Sequence, residues 1–181
     1  MAITAATRTD IIELVVLATG GAPGVTLLSD LVTQVESGKT LKDVAIALTS
    51  TASWKATYPI FATPEEFASE FLDNIVPNVG ADAKAEGVAV IVAMLNSGST
   101  KADILVEAAA YLSNLSTSNA GFGSSAALFQ NQVAVATYHT VTLELDSGLT
   151  AALAVVTDAA SLVTPESAAV RPESSSNVTV W

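Results

Sequence analysis

Hard oxygen donors of the kind a calcium ion takes occur at Asp73-Asn74, at Asp82 and in the Asp146-Ser147-Gly148 turn. None reproduces the alternating acidic loop of an EF-hand. Asp82 and Asp146 are therefore candidate calcium ligands without a loop motif, and the competing reading is a pair of solvated surface acids. Trp54 and Tyr58 offer aromatic faces on which sugar rings could stack, against the plainer role of helix packing. The single histidine, His139, stands between Tyr138 and Thr140 with no second His or Asp at ligand spacing, and reads as structural. With no cysteine in the chain, thiolate metal sites and disulfides are excluded, and no catalytic residue is assigned. Gly38-Lys39-Thr40 matches the end of a phosphate-binding loop, but that loop needs glycine where Thr33 stands. Gly20-Gly21-Ala22-Pro23-Gly24 could present backbone amides to an anion; lacking a preceding strand, it reads as a tight turn with no ligand assigned.

The elements that must position these residues are helices, because the chain repeats itself in helix punctuation. Ser37-Gly38-Lys39-Thr40 returns as Ser97-Gly98-Ser99-Thr100 at an offset of 60 residues, with Val16/Val76, Gly20/Gly80, Val32/Val92, Asp43/Asp103 and Ser53/Ser113 matched around it. A shorter third echo, Asp146-Ser147-Gly148-Leu149-Thr150, again leads into an apolar run. Asp10 is expected to cap a helix that ends at Gly20, and Val25, Leu28, Leu31, Val32 and Val35 follow helical spacing up to Ser37-Gly38. Thr40 caps the next helix, with Asp43 bonding back toward the cap and Leu41, Val44, Ala45 and Leu48 on its apolar face.

Thr57-Tyr58-Pro59 reads as a linker, and Thr63-Pro64-Glu65-Glu66 is a strong helix start. After a break at Pro77 to Gly80, a helix from about Asp82 to Leu95 turns Val88, Ile91, Val92 and Leu95 inward, and Thr100 caps another through Leu112. Residues 116–125 form a loop, a helix runs from about Ser125 to Leu145, and Thr150 to Val163 is the last. The alternation at Val141-Thr142-Leu143-Glu144-Leu145 also fits a strand; helix is preferred. Residues 164–177 are rich in Pro, Ser and Glu, and Asn177-Val178-Thr179-Val180-Trp181 alternates like an opening strand. The expected fold is all-α. Two tandem helical modules (1–60 and 61–115) and a partial third within C-terminal helices packed on them (116–163) precede a linker and strand-like tail (164–181).

Composition narrows the function classes. Half the residues are hydrophobic, so a sizeable core can form. No stretch of about 18 residues is apolar enough for a membrane span, and no membrane insertion is expected. A net charge of −11 opposes nucleic acid and anionic lipid. The N-terminal residues lack the pattern of a signal peptide, so the protein either stays inside or leaves by a route whose signal lies elsewhere.

The order Gly-Ala-Pro-Gly, apolar helix, Ser-Gly-x-Thr, x-x-Asp-Val/Ile, apolar helix resembles the helical repeat domain of large bacterial secreted proteins, a family related to phycobilisome-linker modules. Similar modules form the N-terminal region of alphaproteobacterial surface-layer proteins. The likeness covers about residues 10–163 and is closest from Asn78-Val79-Gly80-Ala81-Asp82 through Leu95-Asn96-Ser97-Gly98-Ser99 to Ala110-Tyr111-Leu112; Val90-Ile91 replaces the more typical Tyr-Trp pair. The resemblance implies type I secretion, a place on the outer face of a Gram-negative cell, and often calcium-dependent assembly. It also implies a non-enzymatic helical anchor that binds lipopolysaccharide and its own copies. The first alternative is a subunit of an extracellular filament or matrix, with Val178, Val180 and Trp181 adding to a neighbour as a strand. The second is a hydrolase, for which no acid/base pair at defined spacing can be named.

Overall fold

The computed structural model describes residues 3–154 and 156–157. Among the described residues the chain is all-helical: α1 (Ala5–Thr19), α2 (Gly24–Glu36), α3 (Leu41–Thr49), α4 (Ala52–Thr57), α5 (Pro64–Ile75), α6 (Ala81–Asn96), α7 (Lys101–Asn114), α8 (Gly123–Thr137), a π-turn (Tyr138–Thr142) and α9 (Leu149–Ala154). The strand-like segment Val178 to Trp181, and the last helix beyond Thr157, lie outside the described residues.

Apolar residues round the helix from Ile11 to Leu17 make that half of α1 the centre. Ile11, Ile12, Leu14, Val15, Val16 and Leu17 are all buried, as expected where the apolar run goes round the helix, while Arg8 in its first half is exposed and Asp10 and Glu13 are half-buried. Helices α2, α3, α4, α7 and α8 pack around it, α3 lies on α7, and α5 pairs with α6. Elements from all three expected segments thus contribute to one core. The expected cap at Asp10 is incorrect. The helix starts earlier, where Thr4 has an extended backbone and its hydroxyl accepts from the Thr7 N–H at 3.1 Å, leaving Asp10 inside the helix and half-buried.

The two Ser-Gly-x-Thr corners have one geometry. Gly38 and Gly98 adopt φ of 102° and 100°, the left-handed region that glycine enters without a Cβ penalty. The Lys39 N–H donates to the Gln34 carbonyl at 3.1 Å and the Ser99 N–H to that of Met94 at 3.0 Å. In each corner the threonine amide donates to the aspartate three residues on, Thr40 to Asp43 at 2.8 Å and Thr100 to Asp103 at 2.9 Å. The aspartate amide returns a bond to the threonine hydroxyl at 3.2 Å in both. Lys42 then ties the corners together by reaching Asp103 at 2.6 Å. That bond, with those from Thr100, holds the Asp103 carboxyl down to about 2.

Away from the corners the echo fades. Gly20 ends α1 at φ 65°, whereas its match Gly80 opens α6 at φ −66°. Helix α3 stops after Thr49 and restarts as α4, which takes in Thr57 of the expected Thr57-Tyr58-Pro59 linker. The hydroxyls of Thr49, Ser50 and Thr51 bond to the carbonyls of Ala45, Ile46 and Leu48, competing with the backbone ladder. The matched Ala109-Ala110-Tyr111 has no such groups, and α7 runs on to Asn114. In the third echo Thr150 lies inside α9 rather than capping it, and Gly148 stands before the helix at φ 68°. Val141 and Thr142 are helical rather than strand, because α8 runs on through the π-turn to Thr142; the expected end at Leu145 falls short, since Glu144 takes φ 54°.

Candidate functional site

Thr63 and Glu66 form a capping box, with the Thr63 amide donating to Glu66 at 2.8 Å and the Glu66 amide to the Thr63 hydroxyl at 3.2 Å. This starts α5 so that Phe67, Ala68, Phe71 and Leu72 face inward. Gly87 lets α6 lie close against that helix, since a Cβ there would stand 2.9 Å from Leu72 Cδ1. Helix α6 packs mainly on α5 and only lightly on α7, which leaves an apolar groove of about 390 Å³. Leu72, Ile75 and Val76 form one wall, Val90, Ile91 and Met94 the second, and Ile104, Ala108 and Leu112 the third. Tyr111 and Phe122, edge to face at 6.0 Å, close one end. Glu86 and Glu107 supply the charged groups of the lining.

The Phe122 wall is built by a tight loop. Asn119 Oδ1 accepts from the amides of Gly121 and Phe122 at 3.0 and 2.9 Å, and a Cβ on Gly123 would come within 2.5 Å of the Thr117 carbonyl oxygen. Gln130 fixes the adjoining end of α7 by donating to the carbonyls of Leu112, Ser113 and Leu115. Of the α6 residues expected inward, only Ile91 is buried; Val88, Val92 and Leu95 are half-buried, and Val90 is exposed on the groove. The groove can receive an apolar side chain or helix face, and its volume is in the range of small-molecule sites.

The sequence-derived candidates lie elsewhere. Trp54 and Tyr58 are 3% and 6% exposed, with ring centroids 4.4 Å apart; Trp54 also packs on Phe71, and Tyr58 on Phe67 and Phe71. Their faces are committed to the core, so the sugar-stacking expectation is corrected in favour of packing. The Tyr58 hydroxyl accepts from Asn74 at 3.0 Å beside a second cleft of about 290 Å³ at the C-terminal end of α1. His139 is buried on the π-turn with Nδ1 unpartnered, as are the hydroxyls of Ser125 and Thr140.

Asp146 has a different partner from the one expected of a surface acid. Pro23 precedes α2 without a side chain able to cap it, and Asp146, 120 residues on from Thr26, takes that place. It accepts from the Thr26 amide at 2.8 Å and the Thr26 hydroxyl at 2.7 Å. These bonds, the amide first and with help from the Val25 amide, hold its carboxyl below the usual aspartate value. The carboxylate lies beside Gly24, where a Cβ would stand 2.7 Å from Oδ1, but its donors are on Thr26 and Val25 and not in the Gly20 to Gly24 turn. The Ala22 amide also donates to the Leu149 carbonyl at 2.9 Å. Asp82 is exposed in the first turn of α6, on an element separate from Asp146. Among the described residues no three His, Cys, Asp or Glu side chains converge as a metal-ion set. Val178, Val180 and Trp181 lie outside the described residues.

A feature outside the sequence-derived candidates is Ile60-Phe61, two consecutive large apolar residues in the turn between α4 and α5. They are 90% and 86% exposed. Their signal was present as an apolar pair inside the Pro59 to Thr63 punctuation, where turn residues are ordinarily polar. No family model matches the chain, and neither a curated protein nor a solved structure was found to match it.

Proposed function

We propose that this chain is the helical assembly domain of a surface-layer-type protein, a structural part whose work is done by binding its own copies and a surface glycan. The observation that carries this reading is the pair of corners at 37–40 and 97–100, whose caps, left-handed glycines and hydrogen bonds coincide and whose helices pack on each other through α3 and α7. This supports two tandem modules built from one pattern, which is what the resemblance rests on. The open apolar groove and the exposed Ile60-Phe61 pair support a role in protein contact. Placement on the outer face of a Gram-negative cell, type I secretion, lipopolysaccharide as anchoring partner and calcium as assembly cofactor follow from the resemblance. The carboxylate of Asp146 already serves as a helix cap, so calcium is better sought at other acids, Asp82 among them.

The second reading, a filament or matrix subunit, is favoured by the same exposed apolar pair and differs in symmetry. Electron microscopy of the purified protein in millimolar calcium and then in chelator, with vesicles rich in lipopolysaccharide alongside, tests both. Ordered sheets that dissolve on chelation and protein retained on vesicles are expected. Fibres would favour the second reading, and a calcium-indifferent monomer that ignores vesicles would exclude both.

A further inference from the structure

The cleft beside Tyr58 differs from the α5–α6–α7 groove in being built of hydrogen-bonding groups, several of which lack a partner. The Gly20 amide closes the last turn of α1 on the Val16 carbonyl at 2.8 Å. The amides that should follow it go elsewhere. That of Gly21 donates to Thr19 Oγ1 at 3.2 Å, that of Ala22 to the Leu149 carbonyl at 2.9 Å, and Pro23 has no N–H to give. Among the described residues the carbonyls of Leu17, Ala18 and Thr19 are thus left without a donor, on the stretch of α1 that lines the cleft. Across from them the Tyr58 hydroxyl accepts from Asn74 Nδ2 at 3.0 Å and, among the described residues, donates to nothing, so its proton is free for a ligand. Burial pushes that hydroxyl above its ordinary 10.0, with the Asn74 hydrogen bond opposing and the Glu70 charge adding to the rise, which keeps the proton in place at neutral pH. The half-buried Gln132 brings an amide with both donor and acceptor atoms to the same cleft. Val16 and Phe129, both buried, and the half-buried Ile75 supply its apolar surface.

We infer that this cleft is a binding site for one uncharged sugar ring. Its orphaned carbonyls call for a ligand that donates, and the free Tyr58 proton calls for one that accepts. Hydroxyl groups do both. The carbonyls stand at the negative end of the α1 dipole in a chain of net charge −11, so an anion is disfavoured. No charged side chain lines the cleft among the described residues, so a cation finds no carboxylate to pair with. The acids nearest to it, Glu70 and Asp73, are not part of the lining, and Asp73 is held by Lys84 at 2.6 Å. The apolar surface suits the C–H face of a sugar. At about 290 Å³ the cleft is nearly twice the roughly 150 Å³ that admits a benzene ring, which gives room for one six-membered ring with its hydroxyls. The faces of Trp54 and Tyr58 stay in the core; only the hydroxyl edge of Tyr58 takes part. A free monosaccharide and the terminal residue of a glycan share this chemistry. The second source rests on the surface-assembly reading, whereas the cleft itself does not.

Amide chemical shifts of the full, nitrogen-15-labelled chain test this in titrations with glucose, galactose, mannose and rhamnose, with their methyl glycosides, and with glucuronate and choline as charged comparators. At least one neutral sugar should move the amides of Ala18, Thr19, Gly20, Asn74 and Gln132 together, with a dissociation constant of about 1–10 mM, and the charged probes should not. Tyr58→Phe keeps the ring and removes the hydroxyl, and should weaken that binding about tenfold. Gln132→Ala, at a half-buried position, should weaken it as well, with Tm recorded for both variants so that lost binding is read only on folded protein. A methyl glycoside that binds as well as the free sugar points to the end of a glycan, and binding of the free sugar alone points to a monosaccharide. No shift at the cleft from any neutral sugar up to about 50 mM, or choline or glucuronate binding there in preference, would overturn the inference. Ordered assemblies with no sugar shift would sink this site while leaving the surface reading standing; sugar binding by a protein that forms no assembly and ignores vesicles would do the reverse.

Discussion

Helices α2 and α6 occupy matching places before the two Ser-Gly-x-Thr corners, and they leave those corners in the same way while being held quite differently. Helix α2 is closed at its start by a carboxylate from the other end of the chain and is covered by the π-turn and the 145–149 segment. Helix α6 begins at Gly80 with no side-chain cap, lies mainly on α5 and only lightly on α7, and turns Val90 toward an open groove. A local motif thus reproduces a helix end wherever it is written, but the burial of the helix depends on what remains of the chain to cover it. The third echo supplies a cap to α2 through Asp146, and no side chain caps α6.

The sharpest test of this difference is at the glycines that open the two helices. Gly24 has φ 72°, and a Cβ there would meet Asp146 Oδ1 at 2.7 Å, so Gly24→Ala should destabilise by about 1–3 kcal/mol in denaturant unfolding. Gly80 has negative φ and open space around it, and Gly80→Ala should change stability by no more than about 0.5 kcal/mol. Equal losses at both sites would mean that α2 is not clamped as described.

The carboxylates should rank the same way. Asp146→Ala removes the acceptor for two Thr26 donors and should lower Tm clearly, whereas Asp82→Ala, exposed and with no side-chain cap to lose, should leave Tm within error in the absence of calcium. A Tm rise with added calcium that Asp82→Ala abolishes would assign Asp82 as a ligand. The corners themselves should instead behave alike: Thr40→Ala and Thr100→Ala should each cost about 1 kcal/mol. A large inequality between them would place one corner under strain that its dihedrals do not display.

The smallest effects expected are in pH. Burial lifts the Glu13 carboxyl above its ordinary 4.5, with a Ser113 hydrogen bond opposing and the Asp10 charge adding to the rise. A carboxyl raised by folding binds its proton more tightly in the native state, so stability should increase as pH falls from neutral toward about 4.5. Asp43, Asp103 and Asp146 are held below their ordinary 3.8 by hydrogen bonds and, for Asp103, by Lys42 first of all. Their contribution is complete above 3.8 and is lost as pH falls toward about 2 for Asp103. Tm measured against pH should therefore pass through a maximum on the acid side, with Glu13→Gln flattening one limb and Asp103→Asn the other.

Much of the fold was legible because helix ends are written locally. Thr40 with Asp43, Thr63 with Glu66 and Thr100 with Asp103 are three residues apart, and the left-handed glycines follow directly on the helices they end. Where several local signals compete, the amino-acid order alone does not place the helix end. Asp10 stands just before an apolar run and carries a capping carboxylate, yet the helix extends upstream to Thr4 through residues of good propensity such as Ala5 and Ala6. The candidate site was barely legible. Trp54 and Tyr58 look like a binding pair in a list of residues and turn out to be core.

The amino-acid order by itself determined that the chain is helical, where its corners fall, and that no cysteine chemistry is available to it, because capping boxes and glycine turns draw on partners within a few residues. Only the tertiary structure decided that Asp146 would cap a helix 120 residues away, that two aromatic rings would face inward, and that Ile60, Phe61 and the wall of α6 would stay uncovered. Those outcomes depend on which surfaces the folded path brings together, a quantity no short window of residues contains.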